Sequence, residues 1–256
     1  DINLTPYSIW LATVVVSGIS YLSYLLKRYV FHESGTLVSG IIGGLYSSTA
    51  TISVLARKSR KASEQEATEY VAAMLLAVSM MFLRFMILIL IFSREIFMSI
   101  YPYLLIMSVV AAVVAWFIHS RQKRPEGQPA ETEEDDSSNP LEFKVALIFA
   151  TLFVVFTVLT HYTLVYAGTG GLNLLSFVSG FSDITPFILN LLQNTGSVAV
   201  LIVVACSMQA IISNILVNMC YALFFAGKGS RLRPWILGGF GVVIACNLVL
   251  LLFFYI

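Results

Sequence analysis

The chain has 256 residues, of which 58% are hydrophobic and only 11% are charged, and its formal net charge is +1. Soluble domains carry about 25% charged residues, so this composition excludes an ordinary soluble protein and indicates an integral membrane protein. The near-neutral charge gives no sign of a nucleic-acid partner, and we expect a lipid bilayer as the surroundings.

Eight apolar segments follow one another along the chain. Six are uninterrupted and long enough to cross a bilayer as helices, which takes roughly 20 residues: 7–26, 70–92, 98–118, 144–167, 198–226 and 235–256. Two others, 36–56 and 172–192, are broken by Gly, Ser, Thr, Asp, Asn and Pro. The acidic stretch at 121–142 buries too little apolar surface to fold, so we predict a disordered cytoplasmic linker there.

The two sides of this linker resemble each other in sequence. LVSGIIGG at 37–44 is echoed by FVSGFSDI at 177–184, LLAVSMMFLRF at 75–85 by VVACSMQAIIS at 203–213, and YPYLL at 101–105 by RPWIL at 233–237. Three echoes in the same order indicate an internal duplication. We therefore predict an all-α polytopic membrane protein with a first membrane repeat at 1–120 and a second at 143–256.

The basic residues orient these repeats. If 36–56 and 172–192 each enter and leave on one side, thirteen basic residues share a face and only Arg94 lies opposite. The thirteen are Lys27, Arg28, Arg57, Lys58, Arg60, Lys61, Arg121, Lys123, Arg124, Lys144, Lys228, Arg231 and Arg233. The positive-inside rule makes their face cytoplasmic. Each half then has three crossings and one broken or re-entrant segment, so the halves form inverted repeats.

The first interrupted segment has residues at its centre that weaken a helix. Its central residues are Gly43, Gly44, Ser47, Ser48 and Thr49. Glycines make unwinding easy, and hydroxyls can satisfy the freed backbone groups, which lipid cannot do. Paired broken segments mark the ion site of many secondary transporters. The alternative is a packing stripe, because Gly40 and Gly44 form a GxxxG pair.

The second interrupted segment carries Asp183, the one acid of the chain placed inside an apolar segment. An intramembrane carboxylate indicates a functional site, and Asp183 is our candidate metal or proton ligand, with Thr185 beside it. Gly180 and Pro186 are the candidate hinge positions. The alternative is that Asp183 caps a helix beginning at Ile184, and both roles are compatible.

Other polar residues lie within the spans. Arg84 is the one basic residue inside a span and needs a partner or a hydrated cavity; pairing with Asp183 would neutralise both, whereas an unpaired Arg84 would favour an anion. Ser207, Asn214 and Asn218 share one helix face, where they line a hydrated pathway or bond between helices. The three cysteines, Cys206, Cys220 and Cys246, lie in apolar runs typical of small buried hydrophobes.

These residues carry a family resemblance. GTLVSGIIGGLYSSTATISVLARKSR, LLSFVSGFSDITPFILNLL and SMQAIISNILVNMCYALFFAGKG resemble the bacterial and archaeal membrane domain of unknown function that commonly follows an MgtC/SapB module. The resemblance implies an MgtC-like region before Asp1, a prokaryotic cell membrane and a link to magnesium. The chain departs from that family at Asn218, where a lysine is usual, and at Thr185, where a second acid is usual. LYSSTATISVL is also similar to the broken-helix motif of Kef-type cation/proton antiporters.

We therefore expect an ion transporter or channel-like protein, with a cation such as Mg²⁺ as its substrate and its site between the two broken segments. The alternative is a non-transporting regulatory or sensor protein that acts with an MgtC-like module. A membrane enzyme is disfavoured, because His32, His119 and His161 are scattered and no CxxC, HExxH, P-loop or GxSxG motif is present. No cofactor is expected, and the glycine-rich faces are compatible with a homodimer.

Overall fold

The computed structural model describes residues 5–31, 35–60, 62, 64–121, 143–193, 199–227 and 232–255. Every regular element among those residues is a helix. The helices are α1 (Pro6–Leu25, continued by a π-helical turn at Leu26–Val30), α2 (Thr36–Lys58), α3 (Glu64–Phe92), α4 (Arg94–Ser120), α5 (Phe143–Ser179), α6 (Ile184–Gln193), α7 (Val200–Ala226) and α8 (Arg233–Tyr255). The predicted linker at 121–142 lies outside the described residues, apart from Arg121.

Seven of these helices, all except α6, are long and apolar enough to cross a membrane. The prediction of an all-helical, multi-pass membrane protein is therefore confirmed. Local sequence sets some of the helix starts. Thr5 caps α1, where its hydroxyl accepts a hydrogen bond from the backbone N–H of Ser8 at 3.1 Å, and Ser93 caps α4 in the same way through Ile96 at 3.4 Å.

Helices α3 and α7 form the centre of the bundle. More than half of the membrane-length window in each is buried, a larger share than in the other five membrane-length helices. Helix α3 contacts α2, α4, α6 and α8, while α7 contacts α2, α4, α5, α6 and α8. Small polar side chains join some of these pairs, as where the Ser79 hydroxyl of α3 donates to the carbonyl of Ser108 in α4 at 2.8 Å.

Helix α2 folds back on itself at Ser47, whose φ of −159° and ψ of 108° are extended rather than helical. A Cβ built on Gly43 would lie 2.5 Å from Oγ1 of Thr51. A straight helix separates residues eight apart by about 12 Å along its axis. The stretches on either side of Ser47 therefore lie against each other.

The first half of α2 runs in the same direction as α3. Gly40 lies against the backbone of Ala73, and Gly44, one turn later, lies against the backbone of Ala77, one turn later on α3. Partner numbers that rise together indicate parallel helices. Since the second half of α2 returns before α3 begins, both ends of α2 lie at the same end of the bundle.

Helix α5 folds back in the same way, at Gly168, whose φ is 59° and ψ is −150°. A Cβ built on Gly171 would lie 2.8 Å from Cγ2 of Thr163, again eight residues away. This corrects the predicted boundary, because the helical region expected at 144–167 and the start of the segment expected at 172–192 form one folded helix. The polypeptide then turns at 180–183 and continues as α6.

The last part of α5 runs in the same direction as α7. Sγ of Cys206 lies 3.5 Å from Oδ1 of Asn173, and further along both helices the Ser213 hydroxyl donates to the carbonyl of Phe177 at 2.7 Å. The order of the pairs is the same on both helices. In each of the two segments predicted to be interrupted, the part before the break therefore runs parallel to the central helix that follows.

Candidate functional site

The first break forms a tip at residues 46–49, which we call the first tip. Arg84 of α3 donates a hydrogen bond from Nη1 to the carbonyl oxygen of Tyr46 at 2.7 Å. After the break, the Ser47 hydroxyl accepts a hydrogen bond from the N–H of Ala50 at 3.3 Å and so caps the returning half of the helix. Ser48 is buried, and Thr49 is partly buried.

The predicted unwinding at Gly43 and Gly44 is wrong by a few residues, because the non-helical position is Ser47. The glycines serve close packing instead. A Cβ built on Gly44 would lie 2.6 Å from Cα of Ala77, a contact that no larger residue allows. The packing alternative therefore describes Gly40 and Gly44, and the broken-segment prediction describes Ser47.

The second break forms a tip at residues 180–185, the second tip. Asp183 caps α6, since its Oδ1 accepts a hydrogen bond from the N–H of Thr185 at 2.9 Å. Pro186 lies in the first turn of that helix, where its missing N–H leaves no bond unmade. Gly180 lies against α7, and a Cβ there would be 2.4 Å from Cβ of Ser213.

Asp183 differs from expectation in its exposure. The sequence predicts a carboxylate buried in the bundle, whereas its side chain is exposed at the surface of the single chain. The side chain of Thr185 is buried. The capping alternative is thus realised, through Oδ1 of the carboxylate.

Arg84 connects the two tips. Its guanidinium is bonded to the carbonyl of Tyr46 in the first tip, and the charge of Asp183 in the second tip interacts with it electrostatically. Nε of Arg84 is buried and has no hydrogen-bond partner within the described part of the chain. The pairing of Arg84 with Asp183 stays a prediction, because among the described residues only a longer-range electrostatic interaction relates the two charges.

The three residues predicted to form a polar face on α7 have different kinds of hydrogen-bond partner. Ser207 is buried and donates to the carbonyl of Val203 in its own helix at 2.8 Å, so its hydroxyl is already used. Asn214 reaches the second tip, because its Nδ2 donates to the carbonyl of Gly180 at 3.3 Å. Asn218 in turn donates from Nδ2 to Oδ1 of Asn214 at 3.1 Å.

Two residues that contribute to the tips were not predicted from the sequence. Tyr46 acts through its backbone carbonyl, which leaves no signal in residue type. Ser213 bonds the carbonyl of Phe177, and its position near Asn214 on α7 was the one available hint. Among the described residues, no group of three or more His, Cys, Asp or Glu side chains could hold a metal ion.

Seven membrane-length helices and breaks at Ser47 and at 180–183 define a multi-pass helical membrane protein with interrupted segments. The chain belongs to the family described as "Domain of unknown function (DUF4010)", which matches residues 14–226. An uncharacterized protein of Aquifex aeolicus (strain VF5) is 25% identical over 227 residues, which cover 86% of this chain and 96% of that protein. No solved structure matches the chain. The suggested association with an MgtC/SapB module stays a prediction.

Proposed function

We propose that this protein carries a small inorganic ion across a prokaryotic cell membrane, along a pathway between the first and second tips. One observation carries the proposal. Each break is held by a polar side chain from a central helix, Arg84 on the carbonyl of Tyr46 and Asn214 on the carbonyl of Gly180. Non-helical backbone at membrane depth persists only where protein buries it or water reaches it, and paired breaks of this kind form ion sites in transporters.

We further propose that the two halves are inverted repeats. Gly40 and Gly180 occupy the same position in the echoed sequences LVSGIIGG and FVSGFSDI. Gly40 lies against Ala73 and Gly180 against Ser213, so each glycine contacts a residue 33 positions further on. This equal spacing supports an alignment of α3 with α7 that differs from the echo between 75–85 and 203–213. In both halves, the part of the broken segment before its break runs parallel to the helix that follows, which also supports the proposed repeat.

The distribution of basic residues supports an orientation in the membrane. Nη2 of Arg60, just after α2, donates to the carbonyl of Phe224 at 3.1 Å, and the guanidinium of Arg57 lies 4.4 Å from the ring centre of Phe225. The end of α2, the beginning of α3 and the end of α7 thus lie at one end of the bundle. We propose that this basic end is cytoplasmic.

A cation is the favoured substrate. The side-chain oxygens that we propose as ligands at the tips are the Asp183 carboxylate and the hydroxyls of Thr185, Ser47, Ser48 and Thr49. A single carboxylate with hydroxyls suits a partly hydrated ion, and Mg²⁺ commonly keeps several waters when bound. Arg84 opposes a cation electrostatically, but Asp183 and the Tyr46 carbonyl offset part of its charge.

Flux in proteoliposomes tests this proposal. The purified chain is reconstituted and assayed for Mg²⁺, Ca²⁺, Mn²⁺, Na⁺, K⁺ and H⁺, with sulfate and chloride as anion arms. Asp183→Asn removes the carboxylate charge at the second tip, and Glu95→Gln makes the matching change at an exposed acid in the first turn of α4. We expect cation flux that Asp183→Asn abolishes and Glu95→Gln leaves intact.

Two other results would change the conclusion. Anion flux that survives Asp183→Asn would transfer the substrate-binding role to Arg84. Absence of any flux, from protein that is folded and correctly inserted, would refute transport by this chain and favour a regulatory partner of an MgtC-like protein. Enzymatic activity and homodimerisation are separate matters; we propose that the protein is not an enzyme.

A further inference from the structure

A directional chain of hydrogen bonds runs from the second tip along α7. The carbonyl of Gly180 can only accept, so Asn214 must present its Nδ2 to it. Oδ1 of Asn214 is therefore left to accept the next hydrogen bond of the series, and Asn218 must present its own Nδ2 to that oxygen. The Gly180 carbonyl thus fixes the orientation of both amides, and the series of hydrogen bonds ends at Oδ1 of Asn218.

That terminal oxygen is a buried acceptor with nothing to accept. Asn218 is 0% exposed, and its Oδ1 has no hydrogen-bond partner within the described part of the protein. Such a group loses its hydration on folding without compensation, which is costly in an apolar interior. Asn247, another buried asparagine, has partners for both of its polar atoms. Its Oδ1 accepts a hydrogen bond from the hydroxyl of Tyr103, and its Nδ2 donates to the carbonyl of Val243.

Counting back from a contact near the ends of α2 and α7 brings hydroxyl-bearing residues to about the level of Asn218. The second half of α2 and α7 run in the same direction and meet near their ends, where Arg57 contacts Phe225. Ala50 of α2 and Asn218 of α7 each lie seven residues before this contact, which is about 10.5 Å along either helix. The residues around Ala50 bear hydroxyls: Ser47, Ser48 and Thr49 belong to the first tip, and Thr51 follows it.

The ligands at this level are therefore neutral oxygens. A divalent cation in a buried site of neutral groups would leave its charge uncompensated, which is prohibitive in a medium of low dielectric. A monovalent cation has a much smaller hydration free energy to replace, and neutral oxygens can replace it, as backbone carbonyls do in the filters of K⁺ channels.

We infer that Oδ1 of Asn218 is a ligand for a monovalent inorganic cation, Na⁺ or K⁺, bound between α7 and the returning half of α2. This inference rests on the proposed function and narrows it, since it names a binding residue in the same pathway and a monovalent cation in place of the Mg²⁺ considered there. It concerns binding, however, and binding is measurable whether or not the ion is carried across the membrane.

Thermal unfolding of the purified full chain in detergent micelles tests the inference. Melting temperatures are measured in NaCl, KCl, MgCl₂ and choline chloride at one ionic strength, because choline is too large for such a site. Wild type is compared with Asn218→Leu and with Asn247→Leu, which removes a buried asparagine whose bonds are all satisfied. The readout is the ion-induced shift, because both leucines lower the baseline by leaving a former partner unbonded.

We expect Na⁺ or K⁺ to raise the melting temperature of wild type by about 3 °C or more relative to choline at saturation. Asn218→Leu should abolish this shift, and Asn247→Leu should retain it. A wild-type protein without any ion-specific shift would overturn the inference and leave a structural water as the partner of Asn218. A shift that survives in Asn218→Leu would also overturn it, because the ion would then bind elsewhere.

A second variant covers the case in which Asn218→Leu does not fold: Asn218→Ala also removes the oxygen and is judged by the same shift. Flux separates this inference from the proposed function. Ion-specific stabilisation without flux would uphold the binding residue and refute transport, whereas cation flux without that stabilisation would uphold transport and refute the role of Asn218.

Discussion

Nη1 of Arg84 lies 2.7 Å from the carbonyl oxygen of Tyr46, the last residue before α2 breaks at Ser47. The final carbonyls of a helix have no partner within the helix, and one that is withdrawn from water needs another donor. A guanidinium meets the need with both a donor and a positive charge, which suits the negative end of the helix dipole. The break in α2 thus depends on a residue 38 positions away in sequence.

Replacing Arg84 should therefore release the first tip. Hydrogen bonds to charged groups contribute about 1.5–3 kcal/mol, so Arg84→Gln should lower the free energy of unfolding by about 2 kcal/mol and reduce ion flux. The matched control is Arg94→Gln, at an exposed arginine where α4 begins. Thermal unfolding and proteoliposome flux measure the two effects, and an Arg84→Gln protein that matched Arg94→Gln in both would contradict this account of the tip.

Asp183 has two separable roles, as helix cap and as charge. Asparagine caps a helix about as well as aspartate, whereas alanine costs about 1 kcal/mol at that position. Asp183→Asn should therefore keep the stability of wild type within about 0.5 kcal/mol while losing cation flux, and Asp183→Ala should lose both. Parallel unfolding and flux assays on the pair distinguish the roles. Full flux in Asp183→Asn would mean that the residue acts only as a cap.

Much of the fold could be predicted from the sequence because spanning a membrane is a demand on length and hydrophobicity. The runs at 70–92 and 98–118 became α3 and α4 with small changes at their ends. The helix start after Asp183 was also readable, since Asp, Ile, Thr and Pro in that order are typical of a capped first turn. The extent of α5 was not readable, because a single residue, Gly168, separates its two parts.

The site was harder to predict because its geometry depends on contacts between distant residues. Propensity favours a break at Gly43 or Gly44, since glycine weakens a helix. Packing decides otherwise, because both glycines are needed for close approach, Gly44 to α3 and Gly43 to Thr51. The break then falls at Ser47, where Arg84 can bind the preceding carbonyl. No local pattern records that Arg84 is within reach.

The close approach of α2 to α3 predicts a steric effect at Gly44. A Cβ there would lie 2.6 Å from Cα of Ala77, so Gly44→Ala must push two backbones apart. Overpacking of this kind costs about 1–3 kcal/mol. Gly18→Ala is the control, because nothing lies within 4 Å of a Cβ at Gly18, and alanine is the better helix former by about 1 kcal/mol. Unfolding measurements should place the two variants on opposite sides of wild type; equal stabilities would refute the contact.

The fold-back of α5 predicts a conformational effect at Gly168. Its φ of 59° with ψ of −150° is a backbone conformation that residues with a Cβ rarely adopt, so Gly168→Ala should cost about 1–3 kcal/mol. No atom lies within 4 Å of a Cβ at this position, so the cost would come from the backbone alone.

Gly170→Ala isolates that cause. Gly170 also has nothing within 4 Å of a built Cβ, but its φ is not positive, so alanine should be neutral or slightly stabilising there. The strain at Gly168 should also reach the second tip, because residues 169–179 lie along α7 only if α5 reverses at that glycine. We therefore expect Gly168→Ala to lose stability and flux together, and Gly170→Ala to lose neither. If both variants unfolded at the temperature of wild type, Gly168 would not be the point at which α5 turns.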